Sequence, residues 1–359
     1  MKKILVITCY FDPDYVRART LRSALGRLSD VEVVVVKNST KGLLRYPQAV
    51  WRLWRAKHRE KPDVYLLTFR GQEILPFVLW LAGKKPVWFD EFIVPLAWAS
   101  QEKHKLTPSI ALQKALARIM AVPYKRWLRT CSVLLADTDA DADISADLSG
   151  VSRSKYLVVP VGAEEELFVP KPVSDRKEAA FEVFFCGNMR PLYGLKYVLQ
   201  AAEILKKENI HFQIVGGKQQ AADDTMAAKA RGAKVDYAPW VPYEKLPDTM
   251  RRAGVCLAGQ YGNTPQAHRV VSGKAYQMLA CAAPTIIGES AVTKALFHHQ
   301  KDTLLVPQAD PAALADAILW ARDHPSQLRR IGQQGRNLYE KAFSIEAITR
   351  ILRPLAAKL

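Results

Sequence analysis

Residues 264–288, Thr-Pro-Gln-Ala-His-Arg-Val-Val-Ser-Gly-Lys-Ala-Tyr-Gln-Met-Leu-Ala-Cys-Ala-Ala-Pro-Thr-Ile-Ile-Gly, gather cationic and polar side chains at the start of one helix. Arg269, Lys274 and Gln277 precede a small apolar run, Met278 to Ala283, and Pro284 then opens a short strand, Thr285 to Ile287. The N–H groups and dipole at a helix N-terminus attract anions, so this arrangement suits a diphosphate. A second stretch, Phe184-Phe185-Cys186-Gly187-Asn188-Met189-Arg190-Pro191-Leu192-Tyr193-Gly194-Leu195-Lys196, reads as strand, glycine-bearing turn and helix start. Such a turn aims further N–H groups at an anion. Its plainer reading is a structural turn with one incidental arginine, Arg190.

Other constellations carry weaker signals. Trp88-Phe89-Asp90-Glu91-Phe92 ends a strand, where Asp90 or Glu91 is placed to hydrogen-bond a hydroxylated ligand or merely to cap the following segment. Arg17 and Arg19, after the first strand, suit a ligand cleft and a solvated helix face equally. Asp137-Thr138-Asp139-Ala140-Asp141-Ala142-Asp143 has the acidic spacing that elsewhere holds a divalent metal. Here it follows the strand Val133 to Ala136 and opens a helix, whose N-terminal dipole favours carboxylates, so a metal site is rejected. His298 and His299 are adjacent and His268 is isolated, which is not the spacing of metal ligands.

Residues 37–61 hold eight Lys and Arg against Glu60 alone, a net +7. Leu43, Tyr46, Val50, Leu53 and Trp54 recur there at helical spacing, with Trp51 beside them. One reading is a basic amphipathic helix lying on an anionic membrane, with Arg45, Arg52, Trp54 and Arg55 in contact and Lys125, Arg126, Trp127 and Arg129 extending the surface. The other is a helix that packs its apolar stripe on its own sheet and solvates its basic face. Nucleic acid is disfavoured, because no recognised binding module surrounds the patch.

The 264–288 stretch resembles the donor-binding segment of retaining GT-B glycosyltransferases related to family 4. There an acidic residue, seven others and a second acidic residue lead into Ala-Met-Ala-Cys-Gly-(Lys)-Pro-Val-Ile. Ala280, Cys281, Pro284 and Ile286 fall in register, while Arg269 and Gln277 stand at the two acidic positions. A subgroup with a Lys-Xaa-Tyr/Phe-Gln-Xaa-Leu-Ala core is similar to Lys274 through Ala280. In the glycine turn, Asn188 and Tyr193 replace the Arg and Lys common in the family. Phe212 to Lys218, with Gly216 and Gly217, resembles the family's Val-Gly-Gly strand end, and Trp240 to Pro247, with Val241 and Pro242, its nucleobase loop.

The resemblance implies an α/β GT-B fold: two Rossmann-like domains facing each other across a cleft. Residues 1–170 would bind the acceptor, 171–344 the nucleotide sugar, and 345–359 would form a helix crossing back to the first domain. It implies a retaining, metal-independent hexosyltransferase that moves a sugar from a nucleotide-diphosphate donor to a saccharide or polyprenyl-linked acceptor, in surface polysaccharide or glycan synthesis. The donor is a substrate, and no cofactor is expected. Arg190, Arg269 and Lys274 would stabilise the departing diphosphate, and Asp90 or Glu91 would meet a sugar or acceptor hydroxyl. Gln277 would hydrogen-bond the ribose, with Gly187, Asn188, Gly194, Gly216, Gly217, Val241, Pro242 and His268 also at the donor. Two alternatives share the architecture: a non-catalytic, membrane-docked assembly partner and a nucleotide-sugar 2-epimerase, which needs no acceptor.

Alternating elements must position these residues. Strand-like runs at Ile4–Thr8, Val31–Val36, Val64–Leu67, Val87–Phe89, Val133–Ala136 and Val158–Pro160 alternate with helical patterns. After a proline-rich linker at Val169–Asp175, a second set follows at Glu182–Phe185, Phe212–Val215, Lys234–Tyr237, Val255–Leu257, Thr285–Ile287 and Thr303–Val306. Such alternation means parallel sheets wrapped by helices. Neither half has a GxGxxG turn after its first strand, which disfavours a dinucleotide dehydrogenase. The pattern from Ile345 to Leu359 is helical and broken at Pro354.

A chain of 359 residues exceeds one core, so two domains are the default. Ile4 to Phe11 is too short for a signal peptide, and Ile74 to Gly83 falls well below the roughly 20 residues of a spanning helix. Five scattered cysteines without CxxC spacing read as buried free thiols and fit a reducing cytoplasm. The net charge of +17 predicts attraction to polyanions, which suits a peripheral position on the inner membrane face.

Overall fold

Ile4 to Ile7 is buried on both faces, as a central strand of a covered parallel sheet must be. In the computed structural model, which describes residues 1–97, 110–171 and 180–359, these residues lie in β1 (Lys2–Thr8). It pairs in parallel with β2 (Val31–Lys37) and β3 (Val64–Leu67). β4 (Val87–Asp90), β5 (Val133–Ala136) and β6 (Tyr156–Val158) extend the sheet in the order β2-β1-β3-β4-β5-β6. Ile4 and Val6 pack with residues of α1 (Val16–Gly26) and of the chain's last helix. Leu5 and Ile7 pack with residues of α2 (Arg45–Glu60) and α3 (Leu75–Ala82). α4 (Ile110–Thr130) and α5 (Asp139–Ser149) complete this unit's long connections.

A second parallel sheet has the order β12-β11-β10-β7-β8-β9. Its strands are β7 (Phe181–Cys186), β8 (Ile210–Val215), β9 (Val235–Ala238), β10 (Val255–Gly259), β11 (Thr285–Gly288) and β12 (Leu304–Val306). Around it lie α6 (Leu195–Ile204), α7 (Gln219–Ala230), α8 (Leu246–Arg252), α9 (Gly273–Ala280), α10 (Ala291–Leu296), α11 (Pro311–Asp323) and α12 (Pro325–Ala342). Each strand-like run of the sequence except Val158–Pro160 coincides with one of these twelve strands. β6 ends at Val158 rather than beginning there.

The chain divides into one unit of residues 1–162 and 345–359 and another of residues 163–344. The boundary expected at 170/171 therefore lies eight residues earlier. Hydrogen bonds account for the shift: the Ala163 N–H donates to Tyr339 Oη at 3.2 Å, and Arg251 Nη1 donates to the Val169 carbonyl at 2.7 Å. Both bonds tie the 163–169 segment to the second unit; the linker residues Pro172 to Asp175 lie outside the described residues.

The last helix, α13 (Ile345–Ala356), belongs to the first unit and packs along α1, where Thr349 Oγ1 donates to the Ala24 carbonyl at 3.1 Å. It runs through Pro354, where a break was expected, and only Leu355 and Ala356 follow in the helix, so the hydrogen bond that proline removes belongs to the last turn. Ile348 is fully buried in the cluster this helix forms with Leu21, Leu25 and β1. Ile348→Ala should therefore cost about 2–5 kcal/mol of stability, read from urea unfolding.

Candidate nucleotide-binding site

In the second sheet the strand order reverses between β7 and β10. Loops leaving two such strands diverge and open a crevice at their carboxyl ends, where ligands bind in doubly wound folds. The loop after β7 is built on close backbone approaches. The Gly187 N–H donates to the Val215 carbonyl at 2.9 Å. Gly216 has φ 97° and lies so near this loop that a Cβ would sit 2.3 Å from the Gly187 oxygen. Gly217 packs against Met189 and Ala221, and Gly194 against the backbone of Tyr261 and Gly262. Asn188 is exposed, and its Oδ1 accepts from the Arg190 N–H at 3.4 Å. A pocket of about 480 Å³, lined by Asn188, Met189, Arg190, Lys218, Asn263 and Thr264 among others, opens beside this loop.

Across the crevice α9 begins at Gly273, five residues before the helical run expected from Met278. Ser272 explains the difference, since its hydroxyl accepts from the Lys274 N–H at 3.4 Å and caps the helix. Lys274 and Gln277 therefore occupy the first two turns instead of preceding the helix. Lys274 is half-buried as a residue, and its ammonium is the enclosed end. Nζ donates to the Cys186 carbonyl at 2.5 Å and sits 3.9 Å from the centre of the Tyr193 ring. Among the described residues no carboxylate pairs with it. Burial lowers its pKa to about 8, opposed only by Cys186.

The remaining candidates surround this ammonium unevenly. Arg190 Nη2 donates to Gln266 Oε1 at 2.9 Å, and the Arg269 N–H donates to the Gln266 carbonyl at 3.1 Å, so Gln266 links the two arginine-bearing segments. His268 is exposed, with Nε2 3.2 Å from Asn263 Oδ1. Val241 and Pro242 are half-buried just before the turn Tyr243–Lys245. Gln277 Nε2 donates to Tyr243 Oη at 2.8 Å, and Tyr243 in turn donates to Glu164.

Residues 180–324 match the family model described as "Glycosyl transferases group 1". The match lies wholly within the second unit, where the chain is similar to that family. A curated relative, D-inositol 3-phosphate glycosyltransferase of Kineococcus radiotolerans, is 25% identical over 227 residues, covering 55% of this chain. The chain spans about half the length of that relative, 51%. Among solved structures, HepE of Anabaena in complex with UDP aligns over 100% of both chains with TM-score 0.73 and 13% identity. Sucrose-phosphate synthase of Thermosynechococcus elongatus aligns over 100% of this chain and 99% of its own, with TM-score 0.76 and 16% identity. These likenesses establish the GT-B fold.

In the first unit, the structure corrects the expectation for Asp90 and Glu91. Both are buried, and both are occupied by neighbours rather than offered to a sugar. Asp90 Oδ1 accepts from Arg17 Nε at 2.7 Å in a fully enclosed ion pair, and Arg17 Nη1 donates to the Val159 carbonyl at 2.8 Å. Glu91 accepts from Tyr124 Oη at 2.7 Å and from Ser145 Oγ at 2.6 Å. Arg17 is thus a core residue, whereas Arg19 is half-buried. Thr138 caps α5 by accepting from the Asp141 N–H at 3.1 Å, while Asp139 and Asp143 both pair with Arg153. Among the described residues no group of three or more His, Cys, Asp or Glu is placed to hold a metal.

In α2, Arg45 donates to the Gly42 carbonyl and Arg52 to the Lys37 carbonyl, while Arg55 lies over the Trp51 ring and Trp54 is half exposed. Sequence reasoning missed Glu164, Tyr243 and Gln266. Tyr243 and Gln266 lie within stretches already singled out, without a role assigned to them, and Glu164 stands in no motif.

Burial raises the Glu91 pKa from 4.5 to about 7, against the opposing hydrogen bonds from Ser145 and Tyr124. Between those values the unfolded chain is ionised at this position while the folded one holds the proton. Stability is therefore lost as pH rises through that window, by on the order of 3 kcal/mol from this group. Glu91→Gln should remove this component, so that urea midpoints fall less between pH 5 and pH 7 than in the wild type.

Proposed function

We propose that the protein transfers a sugar from a nucleotide-diphosphate donor, held by the second unit, to a saccharide or lipid-linked acceptor. The observation that carries this reading is the enclosed Lys274 ammonium, without a carboxylate, at the strand-order reversal. A diphosphate is the counter-charge such a site lacks. Cleavage of the donor's sugar–phosphate bond leaves an added negative charge on the nucleoside diphosphate. Preorganised cations stabilise that charge more than they stabilise the intact donor. Lys274, Arg190 and Arg269, with the N–H groups that open α9, are assigned this role, which leaves no step needing a metal. Retention of configuration is carried over from the family resemblance. The solved neighbours include HepE with UDP and with UDP-glucose, so UDP is the first nucleotide to test.

The acceptor side includes a membrane reading. Trp51 and Trp54 of α2 and Phe77 and Trp80 of α3 are each at least half exposed around an apolar groove of about 550 Å³. Leu43 and Leu44, beside the cationic residues of α2, continue this surface. Exposed aromatics bordered by Arg and Lys suit an anionic bilayer and support a peripheral position on a cytoplasmic membrane face. No helix among the described residues is long and apolar enough to cross a membrane.

Calorimetric titration with UDP, GDP, ADP and dTDP should give one clear binder. Lys274→Ala should lose it by at least tenfold without unfolding, and wild-type affinity should fall as pH rises through about 8, where the free ammonium gives up its proton. No binding by any of the four would leave the non-catalytic assembly partner as the better reading.

A further inference from the structure

Position 277 holds a neutral amide, yet the structure brings a carboxylate to it from 113 residues away in sequence. Glu164 lies in the segment entering the second unit, half-buried, and accepts the hydroxyl proton of Tyr243. Phe168 packs edge-on against the Tyr243 ring, with centroids 5.6 Å apart at 70°, and helps to fix its orientation. Tyr243 Oη then accepts from Gln277 Nε2 at 2.8 Å. The direction of this chain follows from its last member. An ionised carboxylate only accepts, so the single tyrosine proton goes to Glu164 and the tyrosine oxygen faces a donor. The NH₂ of Gln277 must therefore turn toward Tyr243, which turns Oε1 the other way.

We infer that Glu164 is a positioning residue which, through Tyr243, holds the Gln277 amide with its oxygen directed to accept from the ribose hydroxyls of the donor. The inference rests on the donor-site reading above. Gln277 lies three residues after Lys274 on α9, so the two share a face, with side chains about 5–6 Å apart along it. That spacing sets the amide oxygen near a ribose when a diphosphate occupies the ammonium. A carbonyl oxygen has two lone pairs and can accept from both hydroxyls of a cis-diol, as a carboxylate would. Without the acid at 164 the relay has no fixed direction, and the amide can turn over to present NH₂. The acidic function is thus divided, its charge at Glu164 and its acceptor oxygen at Gln277.

The test compares affinities for three probes: the tightest of UDP, GDP and ADP, its 2′,3′-dideoxy analogue, and inorganic pyrophosphate, which lacks ribose. The wild type should prefer the ribonucleotide over the dideoxy form by roughly tenfold, the size of one or two hydrogen bonds. Glu164→Gln and Tyr243→Phe should each cut that preference to about twofold or less through weaker ribonucleotide binding, with pyrophosphate affinity unchanged. Glu164→Gln is isosteric, and intact pyrophosphate binding certifies that either variant is folded. Variants that keep the ribose preference overturn the inference, as do variants in which all three probes weaken together. A wild type that binds the nucleotide without ribose preference also overturns it and leaves the donor site standing. A wild type that binds none of the probes defeats the donor-site reading itself, and this inference with it.

Discussion

An ammonium held inside a protein without a carboxylate is costly, and the second unit spends its local architecture on keeping Lys274 there. Desolvation disfavours the charge, while the Cys186 carbonyl and the Tyr193 ring return part of the lost hydration energy. The surrounding geometry answers to this arrangement. Gly216 allows β8 to close on the β7 loop, Ser272 starts α9 early enough to bring Lys274 into the crevice, and the strand reversal keeps the loops apart. The proposed diphosphate, an anion with several oxygens, is the partner that would offset this desolvation. The family match over residues 180–324 and the geometry of the loop thus converge from independent directions.

The two units handle buried charge in opposite ways. In the first, Arg17 and Asp90 neutralise each other inside the core, and Glu91 lies in a network with Tyr124 and Ser145. Removing either partner of such an enclosed pair strands the other, so these residues read as architecture. In the second unit no carboxylate among the described residues pairs with the Lys274 ammonium, and a hydrogen-bonded relay runs instead from Gln277 through Tyr243 to Glu164. On the donor-site reading proposed above, a site for an anion cannot fill itself with carboxylates. Moving the acid away from the ammonium, behind a tyrosine, satisfies both needs.

The strands were legible in the sequence because each is a short apolar run between turn residues, buried on both faces and free of competing periodicity. The turns beside the crevice were legible for a related reason: glycines at 194 and 216 mark backbone approaches too close for any side chain. The start of α9 was not, since Gly273 and Lys274 look like loop text until Ser272 is seen to cap them. Nor were the partners of Asp90 and Gln277. Arg17 lies 73 residues from Asp90 and Glu164 lies 79 from Tyr243, and spacing along a chain says nothing of contacts made only on folding. A carboxylate at a strand end therefore reads the same from sequence whether it faces a ligand or an arginine.

On the proposed reading, Lys274 waits as an enclosed ammonium for a diphosphate. This is tested most directly by titrating its side chain with lysine-selective NMR, assigned by Lys274→Arg, in the free protein and with saturating nucleoside diphosphate. Its pKa should lie near 8 in the free protein and rise by at least one unit when the anion binds. An ordinary lysine value near 10.4 that does not move on saturation would contradict it.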